Sequence, residues 1–237
     1  MPTIKKRSGA LKIQEEQEIV TLAHKVQRFL AGYKKHLQIA AVIIVVVIVL
    51  FTGFSIMRSA QEKKATPLVA VAYEYYSSST GTNMNYGKAL DLFRDVQKKY
   101  PDTVSGVIAQ YYIGNCLVNL GRPDEALKEY QIFVDKYSHD KFLLGLVYQR
   151  IGYADIALGK RDDARKAFEQ AETLTGPGVA TVELAKLYEA AGNMPEAEKK
   201  YKVIMESMSG TSWAKDAMGK VQKISPSAQT GETKSAK

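Results

Sequence analysis

Cysteine is almost absent from this chain: Cys116 is the only one among 237 residues. No disulfide can close within the chain, and the cysteine motif that a lipoprotein anchor requires is missing. Cys116 reads as a small buried hydrophobe on a helix. Histidine is scarce as well. His24, His36 and His139 fall in separate segments and offer no zinc-ligand spacing. No phosphate-binding glycine loop and no Ser-His-Asp or Cys-His grouping with local support occurs. The acidic pair Asp162 and Asp163 is accounted for by its place at the start of a helix, and Gly176-Pro177-Gly178 reads as a turn between elements, not a cofactor loop. No catalytic residue, metal or cofactor is expected, and the chain does not read as an enzyme.

Charge is missing from one long stretch. Residues 37–57, LQIAAVIIVVVIVLFTGFSIM, carry none over 21 positions. As a helix rising about 1.5 Å per residue the stretch is ~31 Å long, close to the ~30 Å hydrocarbon core of a bilayer. Nine of the eleven positions from Ile39 to Val49 are Ile or Val, with no polar stripe between them, which suits lipid on all sides better than a protein core. Gly53-Phe54-Ser55 has the small-x-small spacing of a signal-peptide cleavage site, but the apolar core is too long and begins only after 36 residues. A single-pass transmembrane helix is expected over 37–57.

Residues 1–36 hold eight Lys or Arg against three Glu, a net of +5 out of +8 for the chain. Beyond the apolar run only Arg58, Lys63 and Lys64 lie close by. Positive flanks stay cytoplasmic, so the N-terminus is expected inside and residues 58–237 outside. The basic excess sits beside the membrane, which favours anionic lipid headgroups over nucleic acid as its partner. Ile19, Leu22, Val26, Phe29, Leu30, Tyr33 and Leu37 recur at helical spacing, predicting an amphipathic helix within this segment. Residues 1–10 read as disordered.

The remainder repeats. GNCLVNLGRPDEALKEYQIF at 114–133 aligns with GYADIALGKRDDARKAFEQA at 152–171 and AKLYEAAGNMPEAEKKYKVI at 185–204. Each begins on a small residue (Gly114, Gly152, Ala185) and has Gly121, Gly159 or Gly192 seven places on. Then come Ala126, Ala164 or Ala197, and four residues later Tyr130, Phe168 or Tyr201. A degenerate copy upstream supplies Ala89, Phe93 and Pro101. The alanines are 37, 38 and 33 residues apart. Small residues let paired helices approach, and the aromatic fills the space against the next helix. The glycine ends the first helix of each pair in a left-handed conformation. Asp124 and Glu125, Asp162 and Asp163, and Glu196 then open the second helix at its positive end.

Upstream, residues 62–78 predict the first helix of the array, and the Ser/Thr/Gly/Asn-rich stretch 77–87 a long turn. Downstream, 211–224 predicts a capping helix that covers the last repeat with Trp213, Ala217 and Val221, and 225–237 a disordered tail. Several of the fourteen tyrosines (Tyr130, Tyr148, Tyr188, Tyr201) fall at packing positions of the repeats. The expected architecture is all-α: segment 1–36, membrane helix 37–57, a solenoid of about four helix pairs over 58–224 with its capping helix, and the tail.

Over 85–204 these residues resemble the tetratricopeptide-repeat family. The resemblance implies a groove lined by the first helix of each repeat, holding an extended peptide or a partner helix. Its positions correspond here to Ile108, Tyr111, Asn115 and Val118, then Leu146, Gln149, Tyr153 and Ile156, then Val179, Val182, Lys186 and Glu189. Members that grip a terminal carboxylate use Lys and Asn. Asn115 fits, whereas Tyr111 stands where the Lys belongs, so an apolar peptide, a partner helix or an unfolded chain suits the lining better. The alternative is that these side chains make core or self-dimer contacts.

The order of segments resembles the single-pass ancillary subunit of the bacterial Sec translocon. That resemblance implies an inner-membrane protein with a periplasmic repeat domain, and translocon subunits, secreted clients or periplasmic chaperones as partners. The longer basic N-terminal segment departs from that pattern. Two alternatives stand beside it. One is a scaffold for another envelope assembly, in division, outer-membrane biogenesis or polysaccharide export. The other is an organelle import receptor with the repeats in the cytosol, against which the basic N-terminal flank argues. A homo-oligomer is compatible with all three.

Overall fold

The computed structural model describes residues 33–78 and 83–225, together with Lys25. The predicted amphipathic helix (apart from Lys25 and the residues from 33 onward), the segment 1–10 and the tail beyond Ser225 therefore lie outside the described residues. All regular structure among the described residues is helical. The chain divides into two compact units, Met1–Ser59 and Ala60–Lys237.

Helix α1, Lys34–Ser77, contains the whole uncharged run. Every residue from 38 to 59 is exposed, Phe51 at 70 % and Ile56 at 71 % among them. The mean hydropathy of the most apolar 18 residues is 3.0, so the helix is long and apolar enough to cross a membrane. Thr52 donates its hydroxyl hydrogen to the Ile48 carbonyl at 2.8 Å, which satisfies a polar group that lipid could not.

In the second unit, residues 60–77 of α1 are followed by α2 (Asn83–Lys99), α3 (Val104–Asn119), α4 (Pro123–Lys136), α5 (Lys141–Ala157), α6 (Arg161–Thr175), α7 (Val179–Ala190), α8 (Met194–Ser207) and α9 (Ser212–Ile224). From α2 to α9 each helix packs against the next. The pairs α3/α4, α5/α6 and α7/α8 are built alike. Ala126, Ala164 and Ala197 are fully buried, and Tyr130, Phe168 and Tyr201 sink into the core four residues later. A Cβ added to Gly114 would strike the Tyr130 ring, and one added to Gly152 would come within 2.7 Å of Phe168. At these two pairs the glycine is what lets the aromatic come so close to the preceding helix.

The turn between the helices of each pair repeats down to its hydrogen bonds. Gly121, Gly159 and Gly192 have φ of 72°, 75° and 75°. The Gly121 amide donates to the Val118 carbonyl and the Arg122 amide to Leu117. Gly159 with Lys160, and Gly192 with Asn193, do the same to their own helices. This is a Schellman closure, which satisfies the last carbonyls of the helix. Acidic residues then occupy the first turns of α4, α6 and α8, as expected.

Four expectations change. Helix 62–78 is not a separate element, because α1 runs unbroken through it and accommodates Pro67. The long turn at 77–87 is shorter, since α2 is helical from Asn83, drawn in by the buried Ala89, Leu90 and Phe93. Trp213 does not seal the last repeat. It is 42 % exposed, whereas Ala217 and Val221 pack against the last repeat as expected, with Ile224 beside them. The tail starts one residue later, because Ser225 caps α9: its amide donates to the Val221 carbonyl and its hydroxyl to Glu198 at 2.8 Å.

Candidate protein-binding face

Helices α3, α5 and α7 follow one another as the first members of their pairs, with α9 next in the series. They carry the twelve positions expected to line a groove. Asn115 and Val182 are buried, Ile156 and Lys186 are exposed, and the other eight are half-buried. Tyr111 and Val118 pack on the large core cluster, and Val182 is itself part of the core beneath α7. Their role is thus divided, with part of each side chain holding the array together and part facing out.

Single polar bridges join each of these helices to the next. Arg150 of α5 donates from Nε to the Tyr111 hydroxyl of α3 at 3.0 Å. Tyr153 of α5 donates to the Glu183 carboxylate of α7 at 3.5 Å. Lys220 of α9 donates to both oxygens of Glu189 on α7, at 2.7 and 2.9 Å. The Tyr201 hydroxyl adds a third bond to Glu189 at 2.5 Å. The bonds from Lys220 and Tyr201 hold the Glu189 carboxyl below the usual carboxylate range.

Around α3 the face is aromatic. Tyr112 stacks on Phe93 at 5.1 Å and meets Tyr73, Tyr76 and Tyr111 edge-on at 5.0–5.3 Å. Burial, with the neighbouring phenols behind it, pushes the Tyr112 hydroxyl up to about 12. Cys116, on the same helix, is fully buried and its thiol is likewise pushed up to about 12, which leaves it inert near neutral pH.

Two groups here have unused hydrogen-bonding capacity. Asn115 is 3 % exposed, and its Oδ1 accepts from the buried Tyr130 hydroxyl at 2.7 Å. Its Nδ2 has no partner among the described residues. Arg150 bonds Tyr111 but forms no ion pair with a carboxylate among the described residues. A buried amide hydrogen without an acceptor costs about 1–3 kcal/mol, a cost that α3 carries at Asn115.

The twelve positions do not share one cavity. Val182 and Lys186 line a cavity of about 560 Å³ with Trp213, Lys220 and Lys223, whereas Tyr111, Asn115 and Tyr153 do not. Family positions alone missed Arg150, Tyr76 and Tyr112. Arg150 was detectable as the one cation between Phe142 and Ala157. The tyrosines of α1 and α3 gave no separate signal, because aromatic residues at helical spacing also read as core.

A family model described as the tetratricopeptide repeat matches residues 108–140, and a second of the same description matches 150–206. A tetratricopeptide repeat protein from Parabacteroides merdae has a similar fold, with a TM-score of 0.57 at 14 % identity. The match covers 69 % of this chain, which spans only 61 % of that one. The nearly identical TPR-like repeats of a putative kinesin light chain from Podosopora anserina give a TM-score of 0.54 at 15 % identity, covering 70 % and 87 %. At such identity the likeness concerns the fold. No curated protein matches this chain in sequence. The architecture is a tetratricopeptide-repeat solenoid.

Proposed function

We propose that this chain is a membrane-anchored adaptor that binds other proteins through the row α3, α5, α7 and α9. Tetratricopeptide repeats serve protein–protein interaction, and the observation that carries the reading here is Arg150, an exposed guanidinium with no carboxylate partner among the described residues. It bonds the Tyr111 hydroxyl across α3 and α5, beside the half-buried rings of Tyr111 and Tyr112. An extended chain supplies what this place can use, backbone carbonyls for the guanidinium and apolar side chains for the rings. The twelve positions named from the family, from Ile108 to Glu189, are the proposed contact set, with Arg150 added.

The uncharged run 37–57 is proposed as the membrane span, with 1–36 on the cytoplasmic side against anionic headgroups and 58–224 on the outer side of a bacterial inner membrane. In that setting the clients are Sec translocon subunits, emerging secreted chains or periplasmic chaperones. The basic flank, the apolar helix and the repeat array, in that order, support this reading. Photocrosslinking in cells from Tyr153, and separately from Tyr111, tests it. Crosslinks to translocon subunits, secreted chains or periplasmic chaperones are expected. Enrichment of a single division or export complex would assign the chain to a scaffold instead, and crosslinks to itself alone would make the face a dimer interface.

A further inference from the structure

We infer that the edge of the repeat unit formed by the starts of α3, α5 and α9 rests on an anionic lipid surface. This inference depends on reading 37–57 as a membrane span. Each of these helices begins with an exposed apolar residue: Val104 is 57 % exposed, Phe142 64 % and Trp213 42 %. All three stand at the first or second helical position, where none contributes to the core.

The chain enters the repeat unit at this same edge. The Glu62 carboxylate of α1 accepts hydrogen bonds from the Val104 amide at 2.7 Å and the Ser105 hydroxyl at 2.5 Å, the first residues of α3. Glu62 comes five residues in sequence after Met57, the end of the uncharged run. The ends of the second helices meet the starts of the first ones here. The Tyr137 hydroxyl donates to the Pro101 carbonyl at 3.0 Å, and Lys136 pairs with Asp102 at 4.0 Å.

Lysines accompany each of these starts: Lys141 precedes Phe142, Lys63 and Lys64 follow Glu62, which bonds the start of α3, and Lys215, Lys220 and Lys223 line a cavity with Trp213. Lys63, Lys64, Lys98 and Lys141 are exposed and in no ion pair among the described residues. Lys99 pairs with Asp95 at 3.6 Å, leaving both side chains mostly in solvent. Of the acidic groups nearby, Glu62 is committed to the α3 amides, Asp140 to the Leu143 amide at 3.0 Å and Asp102 to Lys136, while Asp216 lines a cavity with Trp213 and Lys215 and is in no ion pair among the described residues. Exposed Trp and Phe mixed with unpaired Lys is the composition that favours the headgroup layer: rings enter the interface while ammonium groups meet phosphates. A protein partner of acidic character would meet the same cations, but the nearness in sequence of the span favours lipid.

Trp213 is the only tryptophan, so its emission reports this edge alone. The full chain is reconstituted into vesicles of phosphatidylcholine and phosphatidylglycerol, with and without brominated acyl chains. A blue shift relative to detergent, and loss of emission with brominated lipid, are expected, and a Lys63→Glu, Lys141→Glu variant of unchanged helicity should recover much of that emission. Emission that ignores bromine and stays open to aqueous iodide, in protein that resists alkaline carbonate, would overturn the inference and leave the span standing. Release by carbonate would remove the span, and the inference with it.

Discussion

Gly114 and Gly87 are both helical glycines, yet a single added methyl should have opposite effects at the two. At Gly114 the new Cβ would overlap Tyr130, which is wholly buried and hydrogen-bonded to Asn115, so the ring has nowhere to retreat. At Gly87 nothing lies within 4 Å. Gly114→Ala is expected to destabilise the array by ~1–3 kcal/mol through overpacking. Gly87→Ala should stabilise it by up to ~1 kcal/mol through helix propensity. Urea unfolding of the two variants beside the parent checks both signs. Glu62 gives a pH-dependent counterpart. Burial tends to raise its pKa, but the Ser105 hydroxyl and the Ser105 and Val104 amides outweigh this and lower it. A carboxyl with a lowered folded pKa contributes stability above its unfolded pKa and loses it as pH falls through the folded one. The melting temperature of the parent should therefore exceed that of Glu62→Gln at neutral pH, and the gap should close between about pH 5 and pH 3. A gap unchanged by acid would show that the carboxylate's charge plays no part in joining α1 to α3.

At the level of elements, the features legible in the sequence are those that depend on one residue type at a fixed spacing. The turn glycines, the small residues facing aromatics and the acidic openings of α4, α6 and α8 each arise from local geometry, and all appear where the spacing puts them. Features that depend on a distant partner could not be read. The stretch 77–87 has the composition of a loop, but Asn83 to Gly87 become helical because Ala89, Leu90 and Phe93 beyond them are buried against other helices. Ala217 and Val221 cover the last repeat where the spacing puts them, and only the packing of α9 reveals that Trp213, for all its size, stays 42 % exposed. The candidate face divides the same way. Its twelve positions are what the family resemblance implies, while the bridge from Arg150 to Tyr111 crosses between helices and leaves no trace in either one's periodicity.

For the whole molecule, the three identical turns have a consequence for how such a chain can change in length. Gly121, Gly159 and Gly192 close their helices with the same two hydrogen bonds and the same left-handed φ. The helix after any one of these glycines can thus be spliced onto another of them without asking the backbone for a new conformation. Cutting out residues 122–159 and joining Gly121 to Lys160 removes the second helix of one pair and the first of the next, and sets Gly114 opposite Phe168 in place of Tyr130. The shortened protein is expected to fold cooperatively, with helical circular dichroism reduced in proportion to the residues lost. Deletions that start at the same place but end in the middle of α5 or α6, out of step with the repeat, should instead yield an unfolded or aggregating product. Recombination at these glycines would let the array gain or shed surface in whole helix pairs, so its reach becomes a heritable quantity that varies in steps.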